Sequence, residues 1–438
     1  MSKPTRRTPI PCMPTSPSVG ARMRPVSRPC RPEQLAGRAA IRASSHPMSR
    51  PQLLARLAAA CEQRAHDSLL RRMRTISAVD GCHVESAARR LLNFSSNDYL
   101  GLAQHPELVE AMMRAARQWG VGAGAAHLLG GHRDEHAQLE SELAAWTGRE
   151  RALLFSTGYM ANLGVIQSLL DARSICVQDR LNHACLLDGA RLSGARLKRY
   201  VHADVDSARR QLQSDPEAAA LLASDAVFSM DGDVAPLAEL AELCRQQQAT
   251  LMVDDAHGIG VLGRDGAGSV AEAGLGEAQV QVLMATLGKA LGVAGAFVAG
   301  PASLIEGLVQ FARSQIYTTA MPPALAAASR VALRLARDEP WRREKLVRLV
   351  GAFRDGAAQR GIALAASRTP IQPVLIGDSA RALVVSARLE ASGFLVPAIR
   401  PPTVPEHSAR LRVTLSAGHE ESDVERLLAA LSSAMREP

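Results

Sequence analysis

Two apolar runs, each closed by a polar cluster, set the pattern of the chain. Thr250 to Val253 is short and partly β-branched, and Asp254-Asp255-Ala256-His257 follows at once. This predicts a buried strand that delivers an acid and an imidazole at its carboxyl end. Val280 to Met284 repeats the design and delivers Thr286 and Lys289 through a glycine-bearing turn. Upstream, residues 151–164 (RALLFSTGYMANLG) predict strand, turn and helix, with Ser156, Thr157 and Gly158 at the turn. Ser174 to Val177 predicts another strand, followed by His183 ahead of a helix. Ala226 to Met230 predicts a further strand whose end holds Ser229. Strand ends at 229, 254 and 286 leave room for one helix and one strand between each, the rhythm of a mostly parallel sheet.

The flanks read differently. Helical spacing runs from Pro51 to about Arg74, with Leu53, Leu54, Leu57 and Cys61 on one face and Arg71-Arg72 closing it. Glu107 to Trp119 predicts an amphipathic helix, and residues 120–131 are too glycine-rich for regular structure. A helix begins at Ala324 after Met321-Pro322-Pro323, another runs from Arg342 to Ala358, and strands follow at Ile371 to Ile376 and Leu411 to Leu415. A last helix opens on Ser422 and Glu425 as a capping box. The fold class expected is α/β: a large domain with a mostly parallel sheet flanked by helices, plus a smaller C-terminal α+β domain. The expected divisions are a tail over 1–47, an N-terminal arm over 48–98, the large domain over 99–335 and the small one over 336–438.

Composition refines this picture. Of 438 residues, 47% are hydrophobic but only 3% aromatic, so the core is expected to be aliphatic. No apolar run reaches the roughly 18 residues of a membrane span. The seven cysteines form no CxxC pair, which points to neither a zinc knuckle nor a disulfide framework and suits a reducing cytoplasm. Residues 1–47 hold nine Lys and Arg against one acid, Glu33, and the rest of the chain is neutral, so the net charge of +8 lives in the tail. With nine of the 24 prolines as well, that tail is expected to be disordered. It reads as a basic arm for nucleic acid, as a transit segment, or, the preferred reading, as sequence ahead of a true start at Met48.

Ligands of open α/β sheets sit at the strand ends, so Asp254, His257, Thr286 and Lys289 are expected to meet at one crevice. A lysine, a lone carboxylate and an imidazole suit pyridoxal phosphate. The lysine forms the Schiff base, the acid pairs with the pyridinium nitrogen and the threonine helps hold the phosphate. Free amides at the turn 156–158 favour the same anion. Singly, each of these residues has an ordinary role as a cap or a surface charge; their joint spacing carries the inference. Two other motifs compete. His132-Arg133-Asp134-Glu135-His136 fits the H-x-x-E-H signature of a zinc peptidase group, but no third ligand is evident and a solvated helix face explains it. Gly258, Gly260 and Gly263 fit a dinucleotide fingerprint letter by letter, but they follow the Asp-His pair rather than joining strand to helix.

From about Met48 to its end the chain resembles the α-oxoamine synthases, pyridoxal phosphate enzymes of fold type I. NFSSNDYLGL, FSMDGD-x-APL, VDDAHG, T-x-GK and AIRPPTVP occur in order. The resemblance implies that Lys289 is the Schiff-base lysine, Asp254 the pyridinium partner and His257 a contact to the phenolic oxygen. It implies that His183 stacks on the ring, that Gly158 and Tyr159 bind the cofactor, and that Ser229 and Thr286 complete its site. Substrate contacts fall on Arg71 (counted back without gaps from Asn93), His183 and Thr403, with Asn97 and Arg412 meeting a carboxylate; no metal is expected. The AIRPPTVP and FSMDGD-x-APL runs favour the branch that joins L-alanine to a pimeloyl thioester, carried on coenzyme A or acyl-carrier protein, with loss of carbon dioxide. Glycine C-acetyltransferase and 5-aminolevulinate synthase chemistry are the alternatives within the family. A cytoplasmic homodimer with active sites at the interface is also implied, with neither nucleic acid nor membrane as partner.

Overall fold

Seven strands form the central sheet of the computed structural model, which describes residues 52–436. The expectations for the tail 1–47 and for Met48 lie outside the described residues. Of the described residues, 52–57 fall in one unit and 58–436 in another, and the first of these stretches opens the helix Leu53–His66.

The sheet strands are β1 (Arg151–Phe155), β2 (Ile175–Asp179), β3 (Arg196–Tyr200), β4 (Ala220–Asp225), β5 (Thr250–Asp254), β6 (Val282–Thr286) and β7 (Ala296–Gly300). They lie in the spatial order β1-β7-β6-β5-β4-β2-β3. The run from β6 to β3 is parallel, and β7 is antiparallel to both β6 and β1. Every residue of β2 and β7 is buried, as expected of strands covered on both faces. One apolar cluster packs Val165, Ile166 and Leu186 against one face, and another packs Leu240, Leu243 and Val270 against the other. The parallel arrangement brings the carboxyl ends of β4, β5 and β6 to one edge, with Asp225 directly opposite Asp254.

A second, three-stranded antiparallel sheet holds Ile371–Gly377, Ala409–Thr414 and Ala398–Ile399, beside the helices Trp341–Gln359, Ser379–Ala391 and Glu421–Arg436. Phe94, Phe297, Phe353, Leu411 and Leu428 share one apolar cluster, which joins this C-terminal part to the large sheet. Ala78–Asp80, His83–Ser86 and Arg89–Asn93 form a small sheet with Phe394–Leu395, so the segment before residue 98 packs on the C-terminal part. Among the described residues no helix is long and apolar enough to cross a membrane.

Several sequence expectations are corrected. Ala226 to Met230 is not a strand; the strand is β4, and the chain then curls. Ala226 N–H donates to Asp254 O at 2.8 Å, Gly232 N–H returns to Phe228 O at 2.7 Å, and Val227 bridges Val234. The helix expected up to Arg74 ends at His66, because Ser68 turns left-handed (φ 58°) while Leu69 N–H caps Arg64 O at 2.7 Å. Arg71 therefore sits beyond the helix. Ser422 lies inside the last helix, whose start is instead held by Glu420 N–H donating to Asp423 Oδ2 at 3.0 Å. His132 precedes the helix Asp134–Thr147, so the H-x-x-E-H histidines do not share a helix face.

His202 clamps the end of β2 to the turn after β4, with Nδ1 3.1 Å from Asp179 Oδ1 and Nε2 2.8 Å from Asp233 Oδ2. Burial alone would depress its pKa, but the two carboxylates outweigh it and push the imidazole up to about 10. A pKa raised on folding stabilises the folded state fully below the unfolded value of about 6.5, and the benefit fades as pH rises through about 10. The unfolding free energy lost in His202→Gln should therefore be largest near pH 6 and shrink toward pH 10 in denaturant titrations. A pH-independent difference would contradict the clamp.

Candidate active site

A cavity of about 240 Å³ opens at the carboxyl ends of β4, β5 and β6. Asp254, the last residue of β5, is 6% exposed and lines it. A carboxylate so buried needs hydrogen bonds in place of water. Asn162 Nδ2 donates to Oδ2 at 2.7 Å and Ala256 N–H donates to Oδ1 at 3.0 Å. Asn162 is fully buried in the helix Gly158–Leu169, and the same amide nitrogen reaches Cys185 Sγ at 2.9 Å.

Lys289 follows β6 and is half-buried in the same cavity. Its turn is closed by Gly292 N–H to Lys289 O at 2.8 Å and Leu287 N–H to Gly295 O at 2.9 Å. Burial lowers the lysine's pKa, against the pull of Asp254 and Asp225, which enlarges the free-amine fraction near neutrality. Its Nζ lies 3.0 Å from His257 Nε2, and His257 Nδ1 lies 2.6 Å from Tyr99 Oη. Burial, aided by the charges of Lys289 and Arg412, holds His257 far below its usual pKa, so the ring is neutral. A neutral imidazole has one donor and one acceptor nitrogen, which makes its two contacts opposite in sense. Tyr99 Oη continues to Asn97 Oδ1 at 3.3 Å, and the buried Arg412 meets that oxygen from both terminal nitrogens at 3.3 Å. Arg412 Nε also donates to Ser229 O at 2.6 Å.

The other expected residues divide into two groups. Gly158, Tyr159, His183, Ser229 and Thr286 line the cavity with Asp254, His257 and Lys289. Thr157 caps the helix that starts at Gly158 by accepting from Met160 N–H, and the unpaired first-turn amides of such a helix favour an anion. The Tyr159 hydroxyl is turned away to Asp188, and Thr286 Oγ1 donates to Gly295 O at 2.9 Å. Asn97 and Arg412 reach the cavity only through the Tyr99–His257 chain and Ser229. Arg71 and Thr403 do not line it; both are exposed and pair with each other, Nη2 to Oγ1 at 3.1 Å.

Sequence reasoning missed Asn162, Asp225, Cys185 and Tyr99. Asp225 is buried at the end of β4, accepts from His183 N–H at 2.9 Å, and is pushed well above the usual carboxylate pKa by burial and by Asp254. The H-x-x-E-H motif lies outside this cavity. His127 joins His132 and His136 there, one ring nitrogen of each lying within 4.8 Å of the others. Burial lowers the pKa of all three, that of His127 to about 4.

The sequence pattern of the family described as aminotransferase class I and II matches residues 89–431. An 8-amino-7-oxononanoate synthase of Thioalkalivibrio sulfidiphilus is 56% identical over 381 residues, covering 87% of this chain and 97% of that protein. One of Cellvibrio japonicus is 52% identical over 379 residues, covering 86% and 95%. Among solved structures, a serine palmitoyltransferase from S. paucimobilis with bound PLP and myriocin matches with a TM-score of 0.84 at 26% identity, covering 88% of this chain and 98% of that one. An 8-amino-7-oxononanoate synthase from Francisella tularensis matches with a TM-score of 0.69 at 28% identity, covering 78% and 97%.

The Lys289 turn depends on Gly292, whose φ is 68° and where a Cβ would lie 2.5 Å from Ala103 N. Gly292→Ala should cost about 1–3 kcal/mol from backbone strain alone, with a further cost for the contact. Urea unfolding measures it, and an unchanged midpoint would show that the turn tolerates the methyl group.

Proposed function

Because the chain belongs to the class I and II aminotransferase family, with 8-amino-7-oxononanoate synthases among its relatives, we infer that the strand-end cavity is where its pyridoxal phosphate sits. The protein is a pyridoxal phosphate-dependent acyltransferase. It makes 8-amino-7-oxononanoate in biotin biosynthesis by condensing an amino acid with a pimeloyl thioester, with release of carbon dioxide and thiol. The observation that carries the site assignment is the meeting of Lys289, Asp254 and a helix N-terminus in one cavity.

The donor set suits the cofactor group by group. Among the described residues the Lys289 amine makes one hydrogen bond, to a neutral imidazole, and so is open to an aldehyde carbon. Asp254 is held in one orientation by Asn162 and the Ala256 amide, as suits a partner of a pyridine nitrogen, and the Gly158 and Tyr159 amides with Ser229 and Thr286 suit a phosphate end. His183, at the cap of the helix Ala184–Ser193, offers a flat ring at the cavity wall. When bound, pyridoxal phosphate draws off the electron pair left when a proton leaves the amino acid's α-carbon.

The chain's own residues do the rest. Lys289 Nζ, its pKa lowered by burial, takes the α-proton and later returns it. His257 accepts at Nε2 to steer that amine, while its Nδ1–H donates to Tyr99, whose hydroxyl donates on to Asn97. Asp254 would pair with the cofactor's ring nitrogen and favour its protonated form, and Asn162 keeps the carboxyl group from turning. Arg412 receives the amino acid's carboxylate by exchanging its two long contacts to Asn97, while its bond to Ser229 O keeps it in place. Arg71 and Thr403, which pair with each other at the surface, meet the distal carboxylate of the pimeloyl chain.

In this reading the amino acid is L-alanine and the acyl carrier is coenzyme A or acyl-carrier protein. The chain works as a cytoplasmic homodimer. Its organisation is an arm over 48–98, a cofactor-binding part over 99–335 and a smaller part over 336–438.

The direct test compares substrate pairs by kcat/KM, where differences in transition-state binding appear. Pimeloyl thioester with L-alanine should exceed acetyl or succinyl thioester with glycine. The reverse order would sink the pimeloyl assignment while leaving the cofactor site intact. Arg71→Ala should raise KM for the thioester by about two- to fivefold, as loss of one exposed charged contact predicts, and leave the alanine-induced absorbance change in place. Asp254→Asn should fold normally and lose about 10²–10³ in kcat, the scale for one fixed electrostatic group. Near-normal turnover would mean that another group holds the ring proton.

A further inference from the structure

We propose that His127, His132 and His136 form a binding site for one zinc-like divalent cation, separate from the strand-end cavity. The three ring centroids stand 5.2, 5.3 and 5.4 Å apart, an almost equilateral triangle. Three imidazoles on one tetrahedral zinc place their ring centres about 5 Å apart, given Zn–N bonds of about 2.0–2.1 Å. His127 Nδ1 and His132 Nδ1 share a hydrogen bond of 2.9 Å, which a cation would replace by widening the pair to the nitrogen separation of about 3.3 Å that such a site requires.

The orientation of the rings supports the same reading. A metal-bound histidine ordinarily turns its second nitrogen toward a carbonyl or a carboxylate, which fixes the ring and its tautomer. His136 Nε2 donates to Met321 O at 2.8 Å. His132 Nε2 faces Glu140 Oε2 at 3.6 Å, while Glu140 Oε1 is held by Leu154 N–H at 2.9 Å. In both residues the second nitrogen, Nδ1, already has a polar neighbour that a cation would replace, His127 Nδ1 for His132 and Arg133 N–H for His136. Binding at His136 gives up one hydrogen bond, that from Arg133 N–H at 2.9 Å.

The backbone that gathers the rings is built rather than incidental. The turn His127–Leu129 is followed by Gly130 at φ 87° and by Gly131, where a Cβ would lie 2.1 Å from Ala125 O. Ala125 O accepts from Ala320 N–H at 3.0 Å, so segment 320–321 holds the cluster from two sides. His136 is fully buried and His127 nearly so, while His132 keeps about a third of its side chain in water. That opening gives a cation its entry and a water for its fourth position. The cation would tie the glycine-rich turn to the start of the helix Asp134–Thr147.

The test uses the holoenzyme freed of trace metal by dialysis against a chelator, and titrates it with zinc in a calorimeter. One site per chain is expected. Changes beyond the ligands alone cost about 10–100-fold in affinity. His127→Gln and His132→Gln, which remove ligands, should each weaken binding by at least about 100-fold, and Glu140→Gln by about 10–100-fold. His66→Gln, at an exposed histidine outside the cluster, should leave binding unchanged. Absence of saturable binding, or binding that survives both ligand substitutions, would overturn the proposal. If either variant loses its cofactor absorbance, the cobalt-loaded wild-type holoenzyme decides by X-ray absorption. Three imidazole ligands uphold the site, and fewer refute it.

Discussion

A carboxylate cannot stand almost fully buried at the end of a central strand unless other groups replace its water, and the Asp254 site is built to meet that demand. Asn162 from the helix after β1 and the Ala256 amide from β5's own turn supply the hydrogen bonds. The parallel sheet makes the meeting possible, because it puts the ends of β4, β5 and β6 on one edge and the start of a helix beside them. The same demand shapes the neighbours. Asp225, opposite Asp254, is driven toward its protonated form by burial and by the second charge, so the pair carries less repulsion than two anions would.

The second constraint is continuity. Lys289, His257, Tyr99, Asn97 and Arg412 form one chain of contacts that begins at the large sheet and ends on a strand of the C-terminal sheet. The lysine's environment therefore depends on residues from three distant stretches of sequence. Substitution at Tyr99 or Asn97 reaches the amine without touching it. The common apolar cluster from Phe94 to Leu428 holds those stretches in register.

What the sequence disclosed follows from this. Lys289, Asp254 and His257 were legible because each falls where a buried run turns polar, a local pattern that needs no partner. Asn162 and Tyr99 act across 92 and 158 residues, respectively, and no local pattern announces such a contact. Asn162 lies in a helix that also carries Gln167 and Ser168, so its polarity alone did not set it apart. β4 was misplaced because Ala226 to Phe228 has the β-branched and aromatic character of a strand, whereas Ala220–Asp225 is mostly Ala, Leu and Ser. Pairing with β2 and β5 on both sides makes it a strand in spite of weak propensity. The third histidine of the His127 cluster escaped notice for a similar reason, since a glycine turn rather than a helix repeat brings it in.

The claim on which the rest depends is that Lys289 is the residue joined to the cofactor. Reduction of the purified protein with borohydride, digestion and mass spectrometry of the peptides tests it most directly. The account predicts bleaching of the visible band and a pyridoxyl phosphate mass on the peptide that carries Lys289. Label on the peptide of another lysine, or a visible band that survives in Lys289→Ala, would contradict it.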